Sequence, residues 1–341
     1  MTIRLSPPVA RPFEPAGDAC SLRQFRHTDF PQGMSPLVLV DHFVMTGPTF
    51  APHPHAGMSA VTLLLEDTRG AMRSRDSVHH DHEIRAGDLH WTLAGRGIVH
   101  TQQPVGEARL NGLQMFVNLP ERLKSLAPDT SLLRAWEMPV IQTDAGRVRV
   151  AAGRYGGWEA PLHTPEPLLV LDGWLRPGAS RLVPLPAGWN AWLYTVQGEL
   201  GVRARHQTTP AAVGAPTAAG WVGPTAGRAP GAGPAKGAAG ASPAAAGKRP
   251  AASVKSVVDP DFAILSEGAA LAASADSDGL LLLIAGSAPA HFVLVAGPAI
   301  DEPVIQRGPF VMASSRALSQ AMAAYEAGEF GTLRQEAGVQ G

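Results

Sequence analysis

Cysteine is nearly absent: Cys20 is the single one in 341 residues. A lone thiol excludes an intramolecular disulfide and any CxxC zinc or redox pair, and it suits a reducing compartment. Charge is also sparse, at 17% of residues, against about 25% in an average chain. The two signs balance, with Lys+Arg 28 and Asp+Glu 29, for a formal net charge of −1. That argues against a dedicated binder of nucleic acid or of an anionic membrane. Long apolar runs are missing as well. The longest aliphatic stretch, Leu280 to Ala285, falls far short of the ~20 residues that span a bilayer. The opening MTIRLSPPVARPFEP has no apolar core of a secretory leader. The expectation is a soluble, cytoplasmic protein with no membrane partner. Neither a GxSxG elbow nor a Walker loop occurs, so serine-hydrolase and nucleotide chemistry have no support.

What the chain has in excess is punctuation, with Gly 37 and Pro 31. Between these breaks lie short runs rich in β-branched and aromatic residues: 37–41, 60–65, 113–119, 147–151, 168–175, 191–203, 262–265, 280–285 and 291–295. Two more strand-like runs, broken by glycines, fall within 86–100. Many short strands at close spacing predict a sandwich or barrel. From His206 to Val258 the text is mostly Ala, Gly, Pro, Ser and Thr, with no acidic residue and five basic ones: Arg228, Lys236, Lys248, Arg249 and Lys255. Such a stretch cannot bury enough apolar surface to offset its ordering entropy, and it reads as a disordered insertion between two strands. Near the C-terminus the period changes. Leu318, Met322 and Tyr325 fall at helical spacing, with Ser314 or Ser315 placed to cap the start and Gly328 to end it.

The residues that carry chemistry are His53-Pro-His55 and His100-Thr-Gln102. On a strand, positions i and i+2 share a face. Each pair therefore projects together, and if the two strands meet inside a barrel, three imidazoles and one amide converge. Three histidines and an oxygen donor make an open site for Fe(II), Mn(II), Ni(II), Cu(II) or Zn(II). Glycines at 57, 87, 95 and 97 suit the tight turns of a small barrel around such a site. A second ligand-dense run, His79-His80-Asp81-His82-Glu83, reads as an exposed hairpin in preference to a second metal site with His80 and His82, or Asp81 and Glu83, on one strand face. His90 and Trp91 point opposite ways on one strand, and His90 reads as a half-buried, hydrogen-bonded histidine. Gln114 and Asn118 share a face with Phe116, either as groups of the pocket or, the favoured reading, as ordinary strand residues, and Arg96 reads as exposed. His42, next to Asp41, is open to either face.

The stretches DHF (41–43), HPHAG (53–57), GDLHWTLAGRGIVH (87–100), GLQMFVNLP (112–120) and EPVIQRGPFVM (302–312) resemble the pirin family of the cupin superfamily. LPAGWNAWLYTVQGEL (185–200) through FAILSEG (262–268) is similar to that family's second cupin. The resemblance implies an all-β bicupin, two antiparallel jelly-roll-like barrels with a C-terminal α-helix. It places a metal-site barrel at 1–150 and a metal-free barrel at 151–312, interrupted at 206–258, with a helix at 313–331 packing on the barrels. In the second part His163, His206 and His291 each stand alone.

The family's ligands map onto His53, His55 and His100. The fourth, a glutamate in the family, maps onto Gln102. A neutral amide replaces a carboxylate, so the charge on the metal and its ligands rises by one. Iron(III) is disfavoured, and an obvious general base is lost. Glu66, Glu83 and Glu107 are nearby acids in sequence. The resemblance further implies Fe(II), or another divalent metal, and a quercetin 2,3-dioxygenase-like reaction of a flavonol-like aromatic with O₂. Its alternative is a non-catalytic transcriptional or metabolic coregulator that binds a protein partner.

Overall fold

The computed structural model describes residues 3–206 and 259–334. The expected disordered insertion lies, from residue 207 on, outside the described residues. The rest is built of antiparallel sheets with one α-helix. No helix among the described residues is long and apolar enough to cross a membrane.

The first barrel is organised by one long strand, Ile98–Asn118. Its second half pairs with Leu37–Met45 on one side and Met58–Leu64 on the other. Cys20–Arg26 then extends the sheet beyond Leu37–Met45, and Leu89–Leu93 extends it beyond Met58–Leu64. Its first half pairs instead with His53–His55 and Arg69–Asp76. A single strand thus serves both walls and closes the barrel. The second barrel has a sheet running Ala269–Ala275, Trp189–Gln197, Ala290–Pro298, Leu169–Leu175, Gly146–Ala152 and Val140–Thr143. A smaller sheet faces it, made of Ser180–Leu185, Gly279–Ala285, Leu200–His206 and Phe262–Leu265. The apolar alternation of these runs supplies a common core across both barrels. Phe25 of the first meets Trp192 and Tyr194 of the second edge to face, with ring centroids 5.8 and 5.5 Å apart.

The sheets do not divide at residue 150. Ile3–Leu5 and Val9–Ala10 pair with Ala269–Ala275 in the second barrel. The hairpin Val140–Thr143/Gly146–Ala152 also joins the second sheet, through Leu169–Leu175. Conversely, the hairpin Ile305–Arg307/Phe310–Met312 docks on the first barrel, where the Val311 amide donates to the Ala56 carbonyl at 3.0 Å. The two ends of the chain are therefore exchanged. The partner of Ile3–Leu5 lies about 270 positions away, so composition does not reveal which barrel this terminal strand completes.

The helix spans Ser315–Glu326, with Ser314 as its cap: the Ala317 amide donates to Ser314 Oγ. Its apolar stripe, Leu318 and Met322 included, lies on Phe310, Met312 and Phe330. Glycine is required at two places beside the HPH segment. Gly57 has φ +77°, and a Cβ there would sit 1.9 Å from the Val311 carbonyl oxygen. Gly97 has φ +148°, and a Cβ there would sit 2.2 Å from the Phe330 ring. The C-terminal strap can lie so close only because these positions lack side chains.

One buried ionic group braces the second barrel. Arg149 Nη2 and His291 Nε2 each reach a different oxygen of Asp172 at 2.5 Å. Arg149 also donates to the Gly87 carbonyl of the first barrel at 2.8 Å, and the Trp174 ring stacks on His291 at 4.0 Å. Burial alone would raise the Asp172 pKa, but the hydrogen bond and charge of His291 and the Arg149 guanidinium outweigh it and hold the carboxyl at about 2.

Candidate metal centre

His53 and His55 stand on the short strand His53–His55, two positions apart and on one face. In register, His53 lies opposite His100, and Ile98 opposite His55. The strand period and this register bring all three rings together. His100 Nε2 is 3.0 Å from His55 Nε2 and 3.2 Å from His53 Nε2. The ligand atoms of the three lie within 4.8 Å of one another. His53 Nδ1 lies 2.9 Å from the Ala51 carbonyl, which suits a donating Nδ1–H and turns the Nε2 lone pair inward.

All three imidazoles are held neutral. Burial pushes His55 down to about 3, helped by the neighbouring His53. Burial also pushes His100 well below the ordinary range, with His55 and His53 adding to it, and lowers His53. Three neutral lone pairs aimed at one point repel unless a cation lies between them, and this donor set fits a divalent transition metal.

Gln102 lines the same cavity. Its Oε1 lies 3.1 Å from Thr62 Oγ1, which is 2.7 Å from Gln114 Oε1. A hydroxyl has one hydrogen, so the shorter bond to Gln114 leaves the Gln102 oxygen free to face a cation. The other end of the amide, Nε2, is 3.5 Å from His90 Nδ1. His90 is fully buried at 1% exposure, not half-buried, and its Nε2 has no hydrogen-bond partner among the described residues.

A second group of residues reaches the cavity through sheet register. Directly opposed residues of neighbouring antiparallel strands share a face. Gln24 opposes Asp41, Asp41 opposes Gln114, Gln114 opposes Thr62, and Thr62 opposes His90. The result is one transverse polar row. Asp41 and Gln114 of this row line the cavity along with the histidines. Gln24 Nε2 donates to Asp41 Oδ1 at 2.8 Å. Burial raises the Asp41 pKa to about 6, with the Gln24 hydrogen bond and Arg26 opposing it. Asp41 is a carboxylate that sequence reasoning misses. The three glutamates nearby in sequence lie elsewhere: Glu66 pairs with Arg147, Glu83 with Arg85, and Glu107 is exposed.

His42 points the other way from Asp41, as strand alternation requires. Its ring lies between the barrels, with Nδ1 2.6 Å from Tyr194 Oη and Nε2 2.8 Å from Asn111 Oδ1. The run 79–83 is not wholly exposed. Asp81 faces solvent and pairs with Arg73, whereas His82 is half-buried with its ring centroid 5.4 Å from His90. Arg96 is exposed, as expected. Cys20 is buried, and burial together with the Asp41 charge raises its thiol to about 11, which makes it a poor nucleophile at neutral pH.

Asn118, two positions beyond Phe116 in the same register, has a structural task. Lys124, 7% exposed, donates to Asn118 Oδ1 at 2.7 Å, the Gly57 carbonyl at 2.8 Å and the Val311 carbonyl at 3.0 Å. One ammonium thus fastens the HPHAG loop to the C-terminal strap. Lys124→Ala strips three buried acceptors of their donor. It is expected to cost about 1–3 kcal/mol in urea unfolding; a variant as stable as the parent would show that the clamp is idle.

Two fused antiparallel barrels, one carrying a three-histidine cluster in its cavity, define the molecule as a bicupin with a candidate metal centre in its first barrel. The comparisons with known proteins agree. The pirin family model matches residues 17–117, and the model of the pirin C-terminal cupin domain matches residues 252–331. A pirin-like protein of Solanum lycopersicum is 30% identical over 93% of this chain and 89% of its own length. Pirin of Homo sapiens is 30% identical over 85% of this chain and 81% of its own. The chain belongs to the pirin family. Among solved structures, a quercetin 2,3-dioxygenase from Acinetobacter baumannii superposes with TM-score 0.72 at 20% identity, covering 97% of this chain and 99% of that one. A bacterial pirin, YhhW from Escherichia coli, in complex with nickel(II), superposes with TM-score 0.53 at 17% identity, covering 87% of this chain and 100% of that one. At these identities the structural likeness speaks for the fold.

Proposed function

We propose that the chain binds one divalent metal ion, iron(II) foremost, through His53, His55, His100 and Gln102. With it the protein acts as an oxidoreductase of the quercetin 2,3-dioxygenase type, on a flavonol or another small hydroxylated aromatic with O₂. The observation that carries this reading is the convergence of three neutral imidazole Nε2 atoms within 3.0–3.2 Å contacts at the floor of an apolar-walled cavity. The bound ion supplies Lewis acidity and open coordination positions for substrate and O₂. The chain's own residues aim the lone pairs, keep the rings neutral and exclude bulk water.

Elemental analysis of tag-free protein tests the reading. Near one equivalent of metal per chain supports it, and metal absent from both the natural protein and Gln102→Glu overturns it. Gln102→Glu is expected to raise iron affinity roughly tenfold or more, because a carboxylate adds a charge where the amide offers only a dipole.

Gln102 also favours a second reading, a non-catalytic regulatory protein that binds a partner. A neutral fourth ligand stabilises iron(III) less and removes the base beside the metal. Iron-loaded protein without turnover, joined to turnover gained by Gln102→Glu, would favour this second reading.

A further inference from the structure

The transverse polar row of the first barrel has a gap. Gln24 satisfies Asp41 Oδ1 and Thr62 satisfies Gln114 Oε1. The atoms between them are left over. Gln114 Nε2 is a buried donor with no partner among the described residues, and no hydrogen bond from those residues reaches Asp41 Oδ2. These two side chains are direct cross-strand neighbours, so the leftover donor and leftover acceptor stand side by side in the cavity wall. Of the two, Gln114 Nε2 is buried; buried polar atoms are rarely left unpaired without a reason, and a cavity that presents this one to its interior gives one.

The cavity around the pair is small and apolar. It holds about 140 Å³ and is walled by Leu22, Phe43, Met45, Phe50, Met72 and Phe116. A volume of about 150 Å³ accommodates benzene, while sites that enclose drug-sized molecules run from about 300 Å³ upward. One aromatic ring fits within these walls, and a flavonol would have to reach out through the cavity mouth.

We propose that Asp41 and Gln114 form a recognition pair for a one-ring compound bearing an acidic hydroxyl next to a carbonyl. Gln114 Nε2 donates to the carbonyl oxygen, and Asp41 Oδ2 accepts the hydroxyl. The proton passes from the substrate oxygen to the carboxylate: the substrate O–H bond breaks, a carboxyl O–H forms, and the electron pair stays on the substrate as an enolate. Asp41 is thus the catalytic base that Gln102 cannot be. The proposal rests on the metal-site reading for the chemistry after deprotonation, but the pair binds its ligand through its own two atoms. The charged and titratable groups around Asp41 are Arg26 and Cys20 on the strand beside it, and His53, His55 and His100 across the cavity.

The test uses full-length protein, both metal-free and loaded with redox-inert zinc, and 3-hydroxy-2-methyl-4-pyranone as probe; the metal-free arm reads the pair, because zinc by itself chelates the probe's anion. Binding is followed by calorimetry and by the ultraviolet band of the probe's anion. Metal content is measured beforehand on every variant. The natural protein is expected to bind the probe as its anion, and the probe's O-methyl ether is expected not to bind. Asp41→Asn should keep its metal, lose the anion band and weaken binding roughly 10- to 100-fold, the scale of one hydrogen bond to a charged group. Asp41→Glu should restore part of the anion band, which a merely structural role for Asp41 would not produce. Gln114→Leu should weaken binding about tenfold and keep the band.

An unchanged band and affinity in Asp41→Asn overturns the proposal. So does tight binding of quercetin without binding of the one-ring probe. Protein that takes up no metal, either natural or as Gln102→Glu, yet binds the probe through Asp41 would sink the metal reading and leave the pair standing. Metal-loaded protein blind to the probe would sink the pair and leave the metal reading standing.

Discussion

His55→Ala is expected to leave the protein without stoichiometric metal. His55 is 3% exposed, and its Nε2 faces His100 Nε2 at 3.0 Å. Alanine removes one of four proposed ligands and opens a hole at the floor of the cavity. Loss of outer hydrogen-bond partners alone lowers metal affinity about 10- to 100-fold, so loss of a ligand sets at least the upper end of that range. The check is elemental analysis of dialysed natural protein and variant, beside a thermal melt of each. The natural protein should melt higher with metal than without, because binding to the folded state alone adds stability by mass action. The variant should show no such increment. Full metal retention by His55→Ala would remove the site assignment.

The second large effect lies far from the metal centre. Asp172→Ala is expected to destabilise the fold by about 3–5 kcal/mol, the usual cost of leaving one member of a buried ion pair uncompensated. Arg149 and Asp172 have side chains 4% and 1% exposed, and His291 is buried on the other carboxylate oxygen. Without Asp172 the guanidinium remains buried, with the Gly87 carbonyl as its one hydrogen-bond partner among the described residues. Urea unfolding read by tryptophan fluorescence measures the loss, and a change under about 1 kcal/mol would mean that solvent or a neighbour takes over the charge. The group also sets a pH dependence. The Asp172 carboxyl is held at about 2 in the folded state, against about 3.9 in the unfolded chain. The unfolded state therefore binds the proton first as pH falls. The stabilisation is complete above about pH 4 and is lost as pH drops through the folded value. Asp172→Ala should flatten the acid limb of the stability curve in that window.

How much of this is legible in the residues depends on which interactions are local. The strand runs can be read because apolar alternation between Gly and Pro breaks is a property of a few adjacent residues. His53 and His55 share a face for the same reason, and their meeting with His100 becomes legible once the family pattern sets the barrel. The helix is visible through Ser314, Leu318, Met322 and Gly328, which act over one or two turns. Asp41 is not legible, although it sits in the DHF stretch. Alternation says that Asp41 and His42 point opposite ways, but only the register of Asp41 with Gln114 and the contact of His42 with Tyr194 say which of them enters the cavity. By spacing, Asn118 is a neighbour of Gln114 and Phe116. Lys124 recruits it to the clamp on Gly57 and Val311, a contact no spacing announces. The partner of Ile3–Leu5 and Val9–Ala10 is hidden on the same ground, since these strands pair with Ala269–Ala275 near the far end of the chain.

The sequence alone therefore determined what short-range physics can write: a β-rich chain, a terminal helix, a histidine pair on one strand face, and an amide where a carboxylate was expected. Tertiary structure decided what depends on long-range register. It put the N-terminal strands in the second barrel and the C-terminal strap on the first, buried Asp172 between Arg149 and His291, and turned Asp41 toward the histidines. Strand period is set by the backbone of each residue, whereas register is set by the burial of a whole sheet face at once. The first can be read along the chain, and the second exists only when the sheet has formed.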